Sequence, residues 1–279
     1  IEAVGDPNLR FKEDALRMLR AIRFSVQLGI SIGEKTFEAL REHSHLIAHV
    51  SWERIRDEFF KMIASPEPKK AILLLEETKM LEHVLPEILN MKGVEQAGHH
   101  TTDVWVHSLD ALDNCPSIDP IVRLSALLHD VGKPLTYEEK DGNITFYNHE
   151  VIGSRVASKI AKRFKLSKVD TQRVFILTRF HMFHYQEHNT DASIRRFMRK
   201  VGLENIDDIL DLREGDRLGS GAKKTSWRLE EMKERMVEQL NQPMEVKDLA
   251  INGNDLISEL SLKPGRILGE ILQTLFEEV

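Results

Sequence analysis

Apolar residues recur along this chain at three- and four-residue intervals, and that spacing predicts helix almost from end to end. The clearest case runs over 11–28, where Leu16, Leu19, Ile22 and Val26 mark one face and Gly29 offers a C-cap. Lys12 to Phe24 holds strong helix formers and neither Gly nor Pro, so one uninterrupted helix is expected there. Its other face carries Asp14, Arg17, Arg20 and Arg23 at strict three-residue intervals. A helix turns about 100° per residue, so each such step drifts back by roughly 60°. Asp14, Arg17 and Arg20 are therefore expected to face one site, with Arg23 reaching round from the flank.

Further helices are predicted over 34–44, with Ser31 or Gly33 near the start, and over 52–64, with Ser51 as the N-cap. Ser65-Pro66-Glu67-Pro68 stops the latter, and segments 69–78 and 79–85 follow before Pro86 breaks the pattern. The texture changes between Gly93 and Thr102, an irregular stretch containing Gly98-His99-His100, and a domain boundary is placed there. Helices resume at 103–114 and 119–130, the second strongly apolar through Ile121, Val122, Leu124, Leu127 and Leu128. One strand-like piece, 143–147, follows the turn residues Asp141-Gly142. Helices over 150–165, 168–181, 190–201 and 204–213 precede a helical tail from Ser226 through the Asn241-Gln242-Pro243 break. The fold class is all-α.

Composition narrows this. The 279 residues are 41% hydrophobic and 30% charged, a globular balance with room for two or three compact units. Cys115 is the only cysteine, which excludes an internal disulfide and suits a reducing compartment. No stretch approaches the roughly 18 apolar residues of a membrane span, and the N-terminus is no signal peptide. The reading is cytoplasmic with no membrane partner. A net charge of −6 argues against a generic nucleic-acid binder, although a basic stripe on one face is compatible with it. Lys12 with Arg17, Arg20 and Arg23 is one such cluster; Arg195-Arg196 with Arg199-Lys200 is another, ordinarily a solvated helix face.

Asp14 only accepts hydrogen bonds and Arg17 only donates them. Side by side they present acceptor and donors much as a base edge does, and could read the exocyclic amine and ring acceptor of cytosine or adenine. The plainer alternative is an i,i+3 surface ion pair worth a few tenths of a kcal/mol. The surrounding strings decide between them: Gly5-Asp6-Pro7-Asn8-Leu9-Arg10-Phe11, then Glu13-Asp14-Ala15-Leu16-Arg17, Ser51-Trp52-Glu53-Arg54-Ile55, Leu85-Pro86-Glu87 and Ile251-Asn252-Gly253-Asn254-Asp255-Leu256. Together they resemble the bacterial class II tRNA nucleotidyltransferases, the CCA-adding enzymes and their poly(A) polymerase relatives. The resemblance implies a neck helix (1–29) whose Asp14 and Arg17 contact the base of incoming CTP or ATP, with Arg20 and Arg23 completing the nucleotide pocket. It implies a helical, RNA-contacting body over 30–92 and tRNA as the partner. Nucleotidyl transfer in that family uses Mg²⁺ held by a Gly-Ser…Asp-x-Asp motif in a preceding head. No such motif occurs here and the chain starts at Ile1, so it reads as a piece of a longer protein that would not extend tRNA alone.

A second constellation comprises His107, the adjacent His129-Asp130, and Asp216. A His-Asp pair closing an apolar helix is costly without a partner. Mixed imidazole and carboxylate ligands suit Mn, Fe, Co, Ni, Zn or Mg. The spacing resembles the HD phosphohydrolase superfamily, which implies metal ligands at His107, His129, Asp130 and Asp216, a catalytic role for His129 and Asp130, and Mn²⁺, Ni²⁺ or Mg²⁺ as the ion. Asp211 competes with Asp216 for the last place, and His149, His181 and His184 are further ligands if a second ion binds. The domain so implied covers 93–220, followed by the tail at 221–279. Metal-dependent phosphatase or 2′,3′-cyclic phosphodiesterase activity is expected, against two alternatives: a stand-alone HD phosphohydrolase, or an inert tRNA-binding scaffold. Gly219-Ser220-Gly221-Ala222-Lys223-Lys224-Thr225 lacks the glycine a phosphate loop needs before its Lys-Thr pair, and reads as a flexible joint.

Overall fold

The computed structural model describes residues 1–96, 102–186 and 188–278. Residues 97–101 of the predicted boundary stretch, His99 and His100 among them, lie outside the described residues. Helix α1 (Pro7–Glu13) opens with Pro7 in its first turn and the Asp6 carboxylate accepting the Asn8 N–H. It ends at Asp14, whose backbone is extended (φ −150°, ψ 104°), and α2 (Leu16–Leu28) begins after it. The single helix expected over 11–28 is thus two. The cause is local: Asp14 Oδ1 accepts the Leu16 N–H at 3.1 Å, satisfying a donor of the new first turn. Short acidic side chains favour such caps over helix interiors. Gly29 ends α2 in the left-handed region (φ 66°), as its sequence position predicts.

Helices α3 (Glu34–His43), α4 (Trp52–Ile63), α5 (Pro68–Glu77) and the short α6 (Leu81–Val84) follow, with 3-10 turns at Ser44–His49 and Pro86–Met91. Ser51 stands at the N-cap of α4 but makes no side-chain capping bond. Leu19, Ile22 and Val26 of α2, Ile55, Phe59 and Met62 of α4, and Ile72 and Leu75 of α5 share one buried core. Next come α7 (Val104–Asn114) and α8 (Pro120–Leu128), every residue of which from Ile121 onward is buried. An antiparallel hairpin pairs β1 (Glu138–Lys140) with β2 (Asn143–Thr145), Glu138 opposite Thr145. The sequence predicted one strand here; Glu138-Glu139-Lys140 has no apolar position and gives no pattern to read.

The chain continues through α9 (His149–Arg163), α10 (Lys168–Phe180), α11 (Asp191–Val201), α12 (Ile206–Gly219), α13 (Trp227–Gln239), α14 (Gly253–Leu260) and α15 (Arg266–Glu278). It divides into two compact units, 1–183 with 207–224, and 184–206 with 225–279. In the first, α12 runs six residues past its predicted end at 213 and lies against α7. A Cβ at Gly215 would sit 2.5 Å from the Ala111 carbonyl oxygen, and one at Gly219 2.7 Å from the Ala111 nitrogen. Two glycines four apart therefore let the backbones approach, and Arg173 of α10 pairs with Asp208 at the start of α12 (2.6 Å) and with Asp119 before α8 (2.8 Å).

In the second unit α11 packs on α13, with Ile194, Met198, Met232 and Met236 buried. Arg195 is also buried and donates to the Gln239 side chain, so the predicted basic stripe over 195–200 loses that member to the interior. Arg235 gathers the Tyr185 hydroxyl, the Asn189 carbonyl and Asp191.

Candidate functional site

Helix α8 delivers His129 and Asp130 into the turn at its C-terminal end, both essentially without solvent exposure (1% and 2%). His107 comes from the first turns of α7, His149 is the first residue of α9, His181 follows α10, and Asp216 comes from α12. All six meet. His107 Nε2 lies 3.5 Å from Asp130 Oδ2 and 3.2 Å from Asp216 Oδ1; His129 Nε2 lies 3.2 Å and 3.6 Å from the same two atoms. The other Asp130 oxygen, Oδ1, is 3.4 Å from His149 Nε2 and 3.6 Å from His181 Nε2. Two ligand triads result, His107–His129–Asp130 and Asp130–His149–His181, with Asp130 in both. Asp216, not Asp211, reaches the cluster, and His184 is exposed and outside it.

The hydrogen bonds behind these rings test whether a cation fits. His129, His149 and His181 each direct Nδ1 at a backbone carbonyl, of Ala126 (2.7 Å), Phe146 (2.8 Å) and Thr178 (2.8 Å). A carbonyl only accepts, so each Nδ1 carries a proton, and in the neutral ring Nε2 is left with its lone pair turned inward. Yet His107 Nε2 and His129 Nε2 are 3.0 Å apart, and His149 Nε2 and His181 Nε2 3.4 Å. Lone pairs at that separation repel unless a proton or a metal ion lies among them. Carbonyl-held imidazoles with carboxylate neighbours are also the usual second layer around a bound divalent ion. The donor set fits one.

Protonation follows the same logic. Burial alone would raise the Asp130 carboxyl, but the His129 and Lys133 charges and hydrogen bonds from His129 and His149 hold it well below the carboxylate range. Burial opposes ionisation of Asp216 too, and hydrogen bonding to His107 with the charges of His129 and Arg213 outweighs it, pushing the carboxyl far down. Burial pulls His129 down, the two carboxylates more than reverse this, and its pKa rises. At His181 burial prevails and the ring is held neutral. Lys133 Nζ contacts Asp130 Oδ2 at 2.6 Å and Arg213 contacts Asp216 Oδ2 at 2.7 Å, so both carboxylates have a cation at hand.

Gly132 makes the second triad possible. A Cβ there would fall 2.1 Å from the His149 carbonyl oxygen and 2.7 Å from the Gly153 nitrogen, so only glycine admits the start of α9 against the turn that carries Asp130. Asn148, in the left-handed region (φ 62°), turns the chain from the hairpin into α9 and sets His149 inward. The cluster forms part of the wall of a cavity of about 540 Å³, which Lys133, Phe146, Tyr147, Arg213 and Arg217 also line. Sequence reasoning passed over these five. Only their nearness to Asp130, His149 and Asp216 in the chain pointed to them.

The residues of the first helical stretch are arranged differently from the expected single face. Arg17 and Arg20 line a pocket of about 290 Å³ with Arg10 and Phe24, while Asp14 stands at the break and does not line it. Asp14 Oδ2 accepts from Arg54 at 2.9 Å, and Arg17 pairs with Glu13 at 2.6 Å and donates to the Arg10 carbonyl at 3.0 Å. Burial alone would raise the Asp14 carboxyl; Arg54 and the Leu16 N–H hold it below its ordinary value. Arg23 is mostly buried in an ion pair with Glu58 of α4. Arg10 and Arg54 were missed although both lie inside the strings that carry the resemblance.

Fold and sites together define a helical protein with a basic, aromatic-flanked pocket at its start and a buried histidine–aspartate centre. A family model described as "Probable RNA and SrmB- binding site of polymerase A" matches residues 29–92, and one for tRNA nucleotidyltransferase domain 2 matches 146–279. The A-adding tRNA nucleotidyltransferase of Deinococcus radiodurans is 32% identical over 292 aligned positions, covering 99% of this chain and 66% of that protein. The CC-adding enzyme of Thermus thermophilus is 31% identical, covering 95% of this chain and 62% of that one. A crystal structure of the Bacillus stearothermophilus CCA-adding enzyme in complex with CTP superposes with a TM-score of 0.65 at 23% identity, over 98% of this chain and 58% of that one. The chain belongs to the bacterial tRNA nucleotidyltransferase family of CCA-adding enzymes and spans about two thirds or less of these relatives' length.

Proposed function

We propose that this chain gives base selection and tRNA binding to a nucleotidyltransferase that adds CTP- and ATP-derived nucleotides to tRNA 3′ ends. What supports the reading is family membership joined to the convergence of Arg10, Arg17 and Arg20 beside Phe24 on one open pocket. Guanidinium groups suit triphosphates and base edges alike. For Asp14 and Arg17 to read a base together, Arg17 must exchange Glu13 for the nucleotide and Asp14 must share Arg54. In the full-length gene product, Asp14→Ala or Arg17→Ala is expected to reduce discrimination of CTP and ATP against GTP and UTP by about 10- to 100-fold. Unchanged nucleotide preference in both variants contradicts the template role.

The second activity we propose is metal-dependent phosphohydrolysis at the buried cluster, an HD-type centre. The observation that carries it is Asp130, whose two oxygens serve two histidine pairs. A divalent ion in such a site polarises a phosphoryl oxygen and eases deprotonation of water near neutral pH. His107, His129, Asp130 and Asp216 would hold one ion and Asp130, His149 and His181 a second. The carbonyls of Ala126, Phe146 and Thr178 fix the rings, and Lys133 and Arg213 hold the two carboxylates ionised and oriented. Purified protein supplied with Mn²⁺, Ni²⁺ or Mg²⁺ is expected to turn over a 2′,3′-cyclic nucleotide, and His129→Ala to remove that turnover. Absence of turnover with every metal, together with no metal by elemental analysis, would leave tRNA binding as the role of this region.

A further inference from the structure

Between Val151 and Val169 the chain carries six cations, Arg155, Lys159, Lys162, Arg163, Lys165 and Lys168, and no carboxylate, although its net charge as a whole is −6. The fold sorts them. Ala157, Ile160, Ala161 and Phe164 turn one side of α9 into the core, and Arg155, Lys159 and Lys162 are exposed. At about 100° per residue these three fall within roughly 60° of arc, and at about 1.5 Å per residue they span roughly 10 Å. Lys165 and Lys168, also exposed, follow in the turn after α9 and at the first position of α10.

Other cations of this unit have carboxylate partners: Lys69 pairs with Asp110, Lys92 with Glu76, and Arg163 with Glu87. Among the described residues no ion pair reaches Arg155, Lys159, Lys162, Lys165 or Lys168. The carboxylates of adjoining segments are engaged, Glu150 by Arg179, Asp57 by Arg56, and Asp170 by the Ser167 hydroxyl. Like charges three and four residues apart on one helix face repel, so a polyanion laid along them relieves a cost that water alone does not. Lys162 and Lys168 also line a groove of about 330 Å³ between α9 and α10, with Ser158, Thr171 and Gln172. Two ammonium groups beside two hydroxyls and an amide supply donors for phosphate oxygens.

The position of the stripe indicates which polyanion it fits. Arg54 of α4 donates to Asp14 at the break between α1 and α2 (2.9 Å), and Arg56, two residues on, donates to the Lys165 carbonyl (3.1 Å). One short helix therefore touches both the proposed base-reading carboxylate and the basic turn. An RNA strand whose 3′ end lies at Asp14 and Arg17 can run its backbone past α4 onto α9. An acidic protein face or a lipid headgroup would match the charge but not this adjacency.

We propose that Arg155, Lys159, Lys162 and Lys168 form a phosphate-binding surface for the RNA backbone leading to the 3′ end held at the neck. It lies outside residues 29–92, which the polymerase A family model matches. The proposal rests on the tRNA-binding reading and adds to it a second contact surface with named residues.

The test is tRNA binding by the full-length gene product, measured by fluorescence anisotropy over a range of salt concentrations, with Lys159→Gln, Lys162→Gln and Lys168→Gln combined. The triple variant is expected to bind tRNA about tenfold more weakly at moderate salt. It is also expected to reduce the slope of log affinity against log salt by about two to three, since each phosphate contact contributes roughly 0.7–0.9. Combined Lys159→Arg, Lys162→Arg and Lys168→Arg is expected to keep both affinity and slope. Nucleotide preference and bound metal are expected to match the parent throughout, because none of the three lysines lines the neck pocket or the cavity over the cluster. Unchanged affinity and slope in the Gln variant overturn the surface. So does displacement of tRNA by inorganic phosphate at matched phosphate concentration, which marks an isolated anion site, or tighter binding of phosphatidylserine vesicles than of tRNA, which marks a membrane surface. A parent that binds no tRNA defeats the tRNA-binding reading and the surface with it; a parent whose tRNA affinity is indifferent to the Gln variant defeats the surface alone.

Discussion

Gly132 shows how much one missing side chain decides. With a Cβ 2.1 Å from the His149 carbonyl oxygen, Gly132→Ala must push α9 away from the turn holding Asp130. Overpacking of this kind costs about 1–3 kcal/mol, to be read as a lowered urea midpoint, and it should also lower metal content because His149 moves with α9. A variant with unchanged stability and unchanged metal would show that the turn and α9 are not in contact as described. Of the cluster, the His129-Asp130 pair closing an apolar helix was legible in the residues themselves, whereas His107 and Asp216 were singled out through the resemblance to the HD pattern. What could not be read was the sharing of Asp130, because that depends on which of its oxygens each histidine meets. The same holds for Lys133, Arg213 and Arg217, ordinary surface cations until α12 is laid against α7.

Elements were legible where periodicity was strong and obscure where one side chain overrode it. The apolar stripe of Leu16, Leu19, Ile22 and Val26 gave α2 its buried face, but it could not show that Asp14 would cap a new helix instead of continuing an old one. That break moves Asp14 off the face it was expected to share with Arg17. Arg23, the flanking member of the same ladder, became a strut. Its side chain and that of Glu58 are 12% and 9% exposed, joining α2 to α4. Removing one partner of a buried ion pair strands the other charge, so Glu58→Ala is expected to destabilise the protein by about 3 kcal/mol in urea denaturation. A change within 0.5 kcal/mol, the range of ordinary surface substitutions, would show the pair to be solvated. Hairpin strand β1 was illegible for the opposite reason, since three charged residues carry no pattern and only pairing with β2 makes them a strand.

Across the whole molecule, two separate kinds of phosphate chemistry are proposed for a nearly all-helical chain. Among the described residues no helix is long and apolar enough to cross a membrane. Cys115 reports on the integrity of the larger unit. Burial, reinforced by the negative charge of Asp211, pushes its thiol up to about 11 from an ordinary 9.0. A thiol whose pKa is raised by folding favours the folded state fully below its unfolded value and loses that contribution as pH rises through 9 toward 11. Alkylation at pH 8.5 should therefore be slow in the native protein and fast in urea, and rapid native alkylation would contradict the burial described. The account turns most on Asp130 as the carboxylate common to two candidate ion sites. Elemental analysis of purified protein and two variants tests it directly. Two divalent ions per chain are expected in the parent, one in His181→Ala and none in Asp130→Asn. An Asp130→Asn protein that keeps its metal would contradict the shared-ligand centre.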